Sequence, residues 1–172
     1  SDLGGGVELE VNDRYPIDSW FGYSRAEATA SPRSGRPEDR AAVTVQSVPA
    51  DRWNDAHIDR LLSTAPNQGR DTSGLVPVAA VTTGDAGAHE VISLRTDAPR
   101  FQERLDFRTA PPWNEGAGVA LAAALAVERG HSLGLRHGAL QASDVIVAGS
   151  EVAVSGMGLS LGGSPETNLV MA

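Results

Sequence analysis

The chain has 172 residues, is 41% hydrophobic and carries a formal net charge of -8 at pH 7. Its length and hydrophobic content suffice for one domain or one compact two-lobed unit, and its negative charge opposes non-specific binding to nucleic acid, so no DNA or RNA partner is expected. The sequence has no cysteine and no lysine, since all fourteen basic residues are arginines, which excludes thiolate chemistry and every mechanism that needs a lysine.

Apolar segments between turn signals predict five strands and one helix in the first half of the chain. The strands are expected at residues 14–23, 25–30, 41–48, 75–81 and 90–94. The helix is predicted to begin after Asn54 or Asp55, both good N-cap residues, and to end near Thr64. Residues 1–11 begin with a glycine-rich run and are expected to form a flexible segment.

The second half is predicted to be mainly helical and to contain one hairpin. Its expected elements are a short helix at 99–105, a helix at 114–131 capped by Asn114, a hairpin of residues 144–147 and 151–154, and a turn at 162–165 before a helix start at Glu166. The predicted order is therefore β-β-β-α-β-β, followed by a short helix, a long helix and a hairpin.

Residues 137–147 and 154–159 form the most informative pattern in the sequence. They resemble the catalytic and metal-binding loops of protein kinases, His-Arg-Asp-Leu-Lys-Pro-x-Asn and Asp-Phe-Gly. His137 keeps its place, but the reactive side chains are replaced. The replacements are Gly138 for Arg, Ala139 for the catalytic Asp, Gln141 for Lys, Ala142 for Pro, Asp144 for Asn, and Gly156-Met157 for Asp-Phe, with Gly158 as the final glycine.

Spacing outside these loops extends the resemblance. In bacterial members of the kinase family the long helix ends in Ala-His, six residues before the catalytic-loop histidine, with a glycine between them. His131, Gly134 and His137 occupy those three positions. The segment Ala42 to Val45 resembles the strand that carries the phosphate-binding lysine, which puts Thr44 at the lysine position.

The chain therefore resembles the eukaryotic-type bacterial Ser/Thr protein kinases, in the form of a degenerate pseudokinase similar to those of actinobacterial cell-envelope proteins. The resemblance implies an α+β, protein kinase-like fold. A five-stranded small lobe with one helix is expected at residues 12–95, and a truncated helical large lobe at residues 96–172.

The replaced residues imply the loss of catalysis, because phosphoryl transfer depends on positioning and on neutralising phosphate charge. Ala139 cannot accept a proton, Gly156 cannot hold magnesium, and Thr44 cannot pair with phosphates. The glycine-rich loop of the family is reduced to one glycine, Gly22. Asp144 can accept a cation, but a single carboxylate is a poor site, so a solvated loop acid is the favoured interpretation and no metal or cofactor is expected.

Two other motifs carry less weight. Residues 158–162 match the Gly-x-Ser-x-Gly nucleophile elbow, but no histidine follows them, so a glycine-rich turn is favoured over a serine hydrolase. The four histidines lack the spacing of a zinc site. The resemblance instead gives His131 and His137 structural roles beneath the loops.

Three functions fit these observations. The first is a catalytically inactive pseudokinase that acts as a protein-binding scaffold or regulator in cell-envelope or peptidoglycan biosynthesis signalling. Its implied partner is a cognate Ser/Thr kinase, or a forkhead-associated domain that binds phosphothreonine; the candidate acceptors are Thr72, Thr82, Thr83 and Thr167. The alternative is an atypical nucleotide-binding transferase that uses Arg25 or Arg36 in place of lysine. The third is a structural or interaction domain that converged on these spacings.

The expected location is the cytoplasm, either for the chain alone or for the chain as the cytoplasmic domain of a membrane protein. Residues 116–127 are apolar but too short to span a bilayer, and residues 1–6 lack the basic and apolar regions of a signal peptide. No membrane insertion by this chain is expected. A complete kinase-like domain needs roughly a hundred more residues, so a fragment of a longer protein is predicted.

Overall fold

The structure is a computed structural model, and it describes residues 8–20, 23–33, 35–66, 69–106 and 109–159. The chain divides into two compact units. The first comprises residues 1–65 and 77–96, and the second comprises residues 66–76 and 97–172. The segment 66–76, which the sequence assigned to the small lobe, therefore belongs to the second unit.

The first unit is built on an antiparallel five-stranded sheet with the strand order β1-β2-β3-β5-β4. Its elements are β1 (Leu9–Trp20), β2 (Tyr23–Pro32), a 3₁₀ helix (Pro37–Asp39), β3 (Ala41–Val48), α1 (Asp55–Leu62), β4 (Val78–Thr83), a 3₁₀ turn (Asp85–Gly87) and β5 (His89–Leu94). The predicted order of strands and helix in this unit is confirmed, and β3 has the predicted bounds.

The sheet has buried side chains on both faces. On one face a core cluster is formed by Ala28, Ala30, Val43, Val45, Ala80 and Ile92, against which Leu9 and Val11 pack. Successive residues of a strand point to opposite faces, so Val81 and Val91, which are also fully buried, lie on the other face. Helix α1 contacts β4. The valine-rich strands thus supply two apolar layers from one short sheet.

Helix α1 is held at both ends by polar contacts. The Asn54 side chain accepts a hydrogen bond from the backbone N–H of His57 at 2.8 Å, the N-cap interaction that the sequence predicted. At the other end, the Thr64 hydroxyl accepts a hydrogen bond from the backbone N–H of Val78 at 2.8 Å. Leu61 is fully buried between these two contacts. The helix is therefore fixed to the start of β4.

The second unit contains two helices and a hairpin in the part of the chain that the structure describes. Its elements are α2 (Phe101–Leu105), α3 (Trp113–Ser132), a 3₁₀ helix (Ala142–Asp144), β6 (Val145–Ala148) and β7 (Glu151–Val154). Segment 66–76 runs beside β7, where Leu75 forms a bridge with Val154 and Val154 N donates to Gly74 O at 2.7 Å. Helix α3 contacts β7, and its buried residues are small or apolar: Val119, Ala123, Ala126 and Gly130.

Four strands start at different residues from those predicted. Strand β2 begins at Tyr23 instead of residue 25 and β5 at His89 instead of residue 90, and the shifts of β1 and β4 are larger. Strand β1 begins at Leu9 instead of residue 14, because Leu9 and Val11 pack against the core cluster. Residues 9–11 are therefore strand, and not part of a flexible segment; residues 1–7 lie outside the described residues. Strand β4 begins at Val78 instead of residue 75, because Leu75 pairs with Val154 in the second unit.

Helix α3 also starts differently. It begins at Trp113 with Pro112 at the cap position, so the predicted Asn114 cap is wrong: Asn114 lies inside the first turn. Proline has no N–H to satisfy, which suits it to a helix start. The turn and helix start predicted at 162–166 lie outside the described residues. Within the described ranges, none of the helices has the length and apolar character needed to cross a bilayer.

Candidate functional site

The hairpin β6–β7 and the loops on either side of it form the candidate site of the second unit. The strands pair from Val145 opposite Val154 to Ala148 opposite Glu151. The turn between them requires Gly149 at a φ of 63°, a conformation that other residues rarely adopt. The hairpin joins the loop at 133–144 to the loop at 155–159, so that the two loops lie side by side.

His137 is the buried centre of this loop pair. Its side chain is 9% exposed, and Nε2 lies 2.8 Å from the carbonyl oxygen of Ser155. A carbonyl oxygen only accepts, so Nε2 carries the hydrogen and donates it. Nδ1 is buried and has no hydrogen-bond partner within the described residues. His137 therefore cross-links the two loops as a structural donor.

Asp144 uses its carboxylate to hold its own loop. Its Oδ2 accepts a hydrogen bond from the backbone N–H of Gln141 at 2.9 Å and lies 3.7 Å from His137 Nε2. The backbone N–H and the hydroxyl of Ser155 both donate to Asp144 O, at 2.9 and 3.1 Å. The sequence predicted a solvated loop acid at this position. The structure gives this carboxylate a capping role instead.

Arg100 adds a cation at the edge of the same loops. Its Nη1 donates to the hydroxyl of Ser155 at 3.0 Å and lies 3.5 Å from the carbonyl oxygen of Ser143. Residue 100 also forms a bridge with Ile146 in β6. Arg100 therefore joins the start of α2 to the hairpin, and its guanidinium lies beside the residues that precede Asp144 and Gly156.

Glycines define the second loop. Gly156 has a φ of 82°, and a methyl carbon added there would lie 3.3 Å from His137 Nε2. Gly158 has a φ of 78°, and its N–H donates to Arg136 O at 2.9 Å. Met157 between them is buried against Gly130 of α3. The loop thus keeps a defined backbone without a carboxylate at residue 156.

The remaining predicted site residues are dispersed. Ala139 and Gln141 lie on the exposed part of the first loop. Thr44 belongs to the first unit, where it is half-buried in β3 opposite Glu27 of β2 and Ser93 of β5. Gly22 lies outside the described residues.

The acidic side chains of the described residues do not cluster at the loop pair. No group of three or more metal-ligating side chains occurs anywhere in the part of the chain that the structure describes. In the first unit, Glu27 forms an ion pair with Arg95, and Arg25 forms one with Asp18. Glu27, which lies opposite Thr44, and Asp18, which lies near the start of β2, are therefore each neutralised by an arginine.

Sequence comparison finds no match to any protein family and none to a curated protein. Solved structures do match. The PAN3 pseudokinase mutant of Neurospora crassa superposes with a TM-score of 0.58 over 87% of this chain at 14% identity. The PknI kinase domain of M. tuberculosis superposes with a TM-score of 0.56 over 95% of this chain at 15% identity. The fold is protein kinase-like.

The kinase-like chain spans 40% of the PAN3 chain and 62% of the PknI chain. At these identities the similarity concerns the fold alone. The sequence predicted the α+β class, and the structure confirms it. One unit contains an antiparallel five-stranded sheet, and the other contains helices and a hairpin.

The structure brings together three of the predicted positions of the kinase-like loops, His137, Asp144 and Gly156. Sequence reasoning missed Arg100 and Ser155, which complete the network. Neither belongs to a motif, and their contact joins residues 55 apart in the chain. The sequence placed Arg100 inside the short helix predicted at 99–105, whereas the structure places it at the N-cap of α2.

Proposed function

We propose that this chain is a catalytically inactive, kinase-like module that acts by binding another protein. Phosphoryl transfer needs a group to receive the hydroxyl proton, groups to hold metal, and a cation on the phosphates. Ala139, Gly156 and Thr44 offer none of these at the positions that the kinase resemblance assigns to them.

The observation that carries the proposal is the hydrogen bonding of the Asp144 carboxylate. It is the acid left at a metal-binding position of the loop pair, and its Oδ2 accepts a hydrogen bond from Gln141 N at 2.9 Å. Magnesium takes six oxygen ligands in octahedral geometry, in which one or two protein carboxylates are completed by waters and substrate phosphates. An acid that caps its own loop, opposite a glycine at residue 156, supports a role in the fold and not in catalysis.

The alternative, a transferase that uses arginine in place of lysine, has less support. Arg25 donates to both carboxylate oxygens of Asp18, at 3.2 and 2.7 Å. Arg36 is highly exposed and lies 3.9 Å from Glu38. An arginine neutralised by a neighbouring carboxylate attracts phosphate less than a free one. Neither side chain therefore favours phosphate binding.

A phosphoryl-transfer assay tests the proposal. The chain is incubated with radioactive ATP, magnesium or manganese, and casein as acceptor, with the PknI kinase domain as the positive control. We expect no incorporation into either protein above a reaction without the chain. Incorporation that is lost in Asp144→Ala would identify a working metal site and would contradict the proposal.

The proposed partner is a forkhead-associated domain or a cognate Ser/Thr kinase, in cell-envelope signalling. Among the candidate acceptors, Thr82 and Thr83 lie in β4, whereas Thr72 lies in the loop 66–76. Thr72 and Thr82 are half-buried and Thr83 is exposed. Thr72 is favoured because its backbone lies outside a strand, where a modifying enzyme can bind the segment without breaking a sheet. Thr167 lies outside the described residues.

Mass spectrometry after incubation with a Ser/Thr kinase tests this partner. We expect modification at Thr72 and capture of the modified chain by a forkhead-associated domain, with both lost in Thr72→Ala. Modification confined to other residues, or capture that persists in Thr72→Ala, would reject Thr72 as the acceptor.

A further inference from the structure

Helix α3 exposes an apolar face that the described chain does not cover. Trp113 is 85% exposed and Leu121 is 63% exposed, and Leu125 and the smaller Ala117 are exposed as well. These four residues recur every four positions, so they form one stripe along the helix, here called the outward stripe. The stripe lies opposite the buried residues that pack α3 onto its own unit.

An exposed apolar stripe of this kind is typical of a surface that binds another protein. Large apolar side chains are scattered singly on most protein surfaces, whereas a contiguous row marks an interaction site. Aromatic and aliphatic residues at helical spacing are the contacts through which one amphipathic helix binds another. The outward stripe therefore suits an apolar face of a partner helix.

The charged residues near the stripe indicate the sign of the charge that the partner helix carries. Glu115, in the first turn, is matched by Arg104 at 3.2 Å. Glu128 lies three residues after Leu125, in line with the outward stripe. It is exposed and makes no ion pair within the described residues. It also lines a groove of about 550 Å³ at the C-terminal end of α3, together with Arg70 and the ion pair of Asp71 with Arg129. The groove has room for a basic side chain beside Glu128. Arg70 makes no ion pair within the described residues either, but it lies outside α3, so the unmatched charge of the helix itself is the acid Glu128.

A second copy of this chain does not supply that base when two α3 helices pair through Leu121. An antiparallel pair of α3 helices centred on Leu121 puts Glu128 opposite Asn114 and next to Glu115 of the other copy. A parallel pair puts Glu128 opposite its own counterpart. An anionic membrane surface is disfavoured in the same way, because both Glu128 and the net charge of -8 repel it.

We propose that the outward stripe is the docking surface for an amphipathic helix of another protein, with apolar residues at i and i+4 and a lysine or arginine that pairs with Glu128. This inference rests on the proposed protein-binding function and assigns its surface. The unmatched acid sets the register of the partner helix, and the stripe supplies the buried area.

A helical peptide library displayed on phage tests the docking surface. The library is selected on the 172-residue chain and counter-selected on the double variant Leu121→Ser/Leu125→Ser. Both replaced side chains are exposed, so we expect the variant to keep the fold, and circular dichroism checks this. We expect enriched peptides to carry apolar residues at i and i+4 and a basic residue toward one end. Their affinity should fall about tenfold or more in the double variant.

Glu128 and Arg70, the two charged groove residues outside the Asp71–Arg129 ion pair, provide matched variants of opposite sign. Glu128→Gln should weaken the enriched peptides by about threefold to tenfold, whereas Arg70→Gln should leave their affinity unchanged or raise it. Enriched peptides that are acidic, or that bind Glu128→Gln as tightly as the parent chain, would overturn the proposal.

The other outcomes separate this surface from the broader function. Peptides that bind both chains equally would place the protein-binding site elsewhere, so the docking surface would fail and the proposed function would stand. A library without enrichment would count against both. Analytical ultracentrifugation tests for a second copy: a dimer that is lost in Leu121→Ser/Leu125→Ser would identify that copy as the occupant. Binding to lipid vesicles that is lost in the same variant would identify a membrane as the occupant.

Discussion

Gly156 is the residue at which the loop pair tolerates least change. Its φ of 82° is unfavourable for any other residue, and an added methyl carbon would lie 3.3 Å from His137 Nε2. Gly149 has a φ of 63° but open space around it. We predict that Gly156→Ala lowers the free energy of unfolding by about 2–3 kcal/mol and Gly149→Ala by about 1 kcal/mol.

Urea denaturation of the two variants measures this difference. Because both changes carry the cost of a positive φ, the larger effect at Gly156 isolates the contact with His137. Equal losses in the two variants would show that His137 does not constrain the loop.

Asp71 provides a prediction about pH. Hydrogen bonds from the hydroxyl and then the backbone N–H of Ser73, together with the charge of Arg129, lower the pKa of its carboxyl below the ordinary value of 3.8. The carboxylate therefore stabilises the fold above that ordinary value, and the contribution is lost as the pH falls through the lower folded pKa.

A carbon NMR titration of the Asp71 carboxyl measures that pKa directly. We expect Ser73→Ala to raise it toward the ordinary value, since the largest cause is removed. The stability difference between the parent chain and Asp71→Asn should shrink as the pH falls below 3.8. An unchanged Asp71 titration in Ser73→Ala would contradict this account.

At the residue scale, the sequence predicted which side chains are missing from the loops but not what the remaining ones do. Ala139 and Gly156 are evident as replacements because a kinase motif has fixed spacing. The capping role of Asp144 and the contact of Arg100 with Ser155 depend on tertiary geometry, since the latter joins residues 55 apart. No local pattern encodes such a contact.

At the scale of elements, helix α3 contains glycines with opposite roles. A methyl carbon added at Gly130 would overlap Met157 Cε and lie 2.8 Å from its Cγ, whereas one added at Gly118 has nothing within 4 Å. Alanine is the better helix former, so Gly118→Ala should stabilise the chain by up to about 1 kcal/mol. Gly130→Ala should destabilise it by about 1–3 kcal/mol because it overpacks the core.

A double-mutant cycle with Met157→Ala identifies the cause. If Met157 accounts for the cost, Gly130→Ala should become neutral or stabilising in the Met157→Ala background, as measured by thermal or urea unfolding. A cost that persists in that background would mean that another neighbour of Gly130 sets the helix packing.

The bounds of the elements show where sequence patterns succeed. Strand β3 has the predicted bounds because its valines alternate with polar residues and Pro49 ends it. Strand β4 begins later than predicted because Leu75 pairs with the second unit, and β1 begins earlier because Leu9 packs on the core. Apolar residues identify buried segments, but the partner of each segment is decided by the fold.

At the scale of the whole molecule, the sequence predicted the kinase-like fold from a few spaced residues, and the structural similarity confirms that fold with TM-scores of 0.58 and 0.56. Identities of 14% and 15% explain why comparison of sequences alone finds no relative. Core packing tolerates wide substitution when the apolar pattern is kept, so a fold can be retained at low sequence identity.

Thermal unfolding in the presence of nucleotide tests the central claim, a kinase-like fold without a working ATP site. A ligand present at about 100 times its Kd adds roughly 2.7 kcal/mol to stability, which raises the Tm of a chain of this size by several degrees. We predict no increase in Tm with millimolar ATP, with or without magnesium or manganese. A saturable, metal-dependent increase of several degrees would contradict the account.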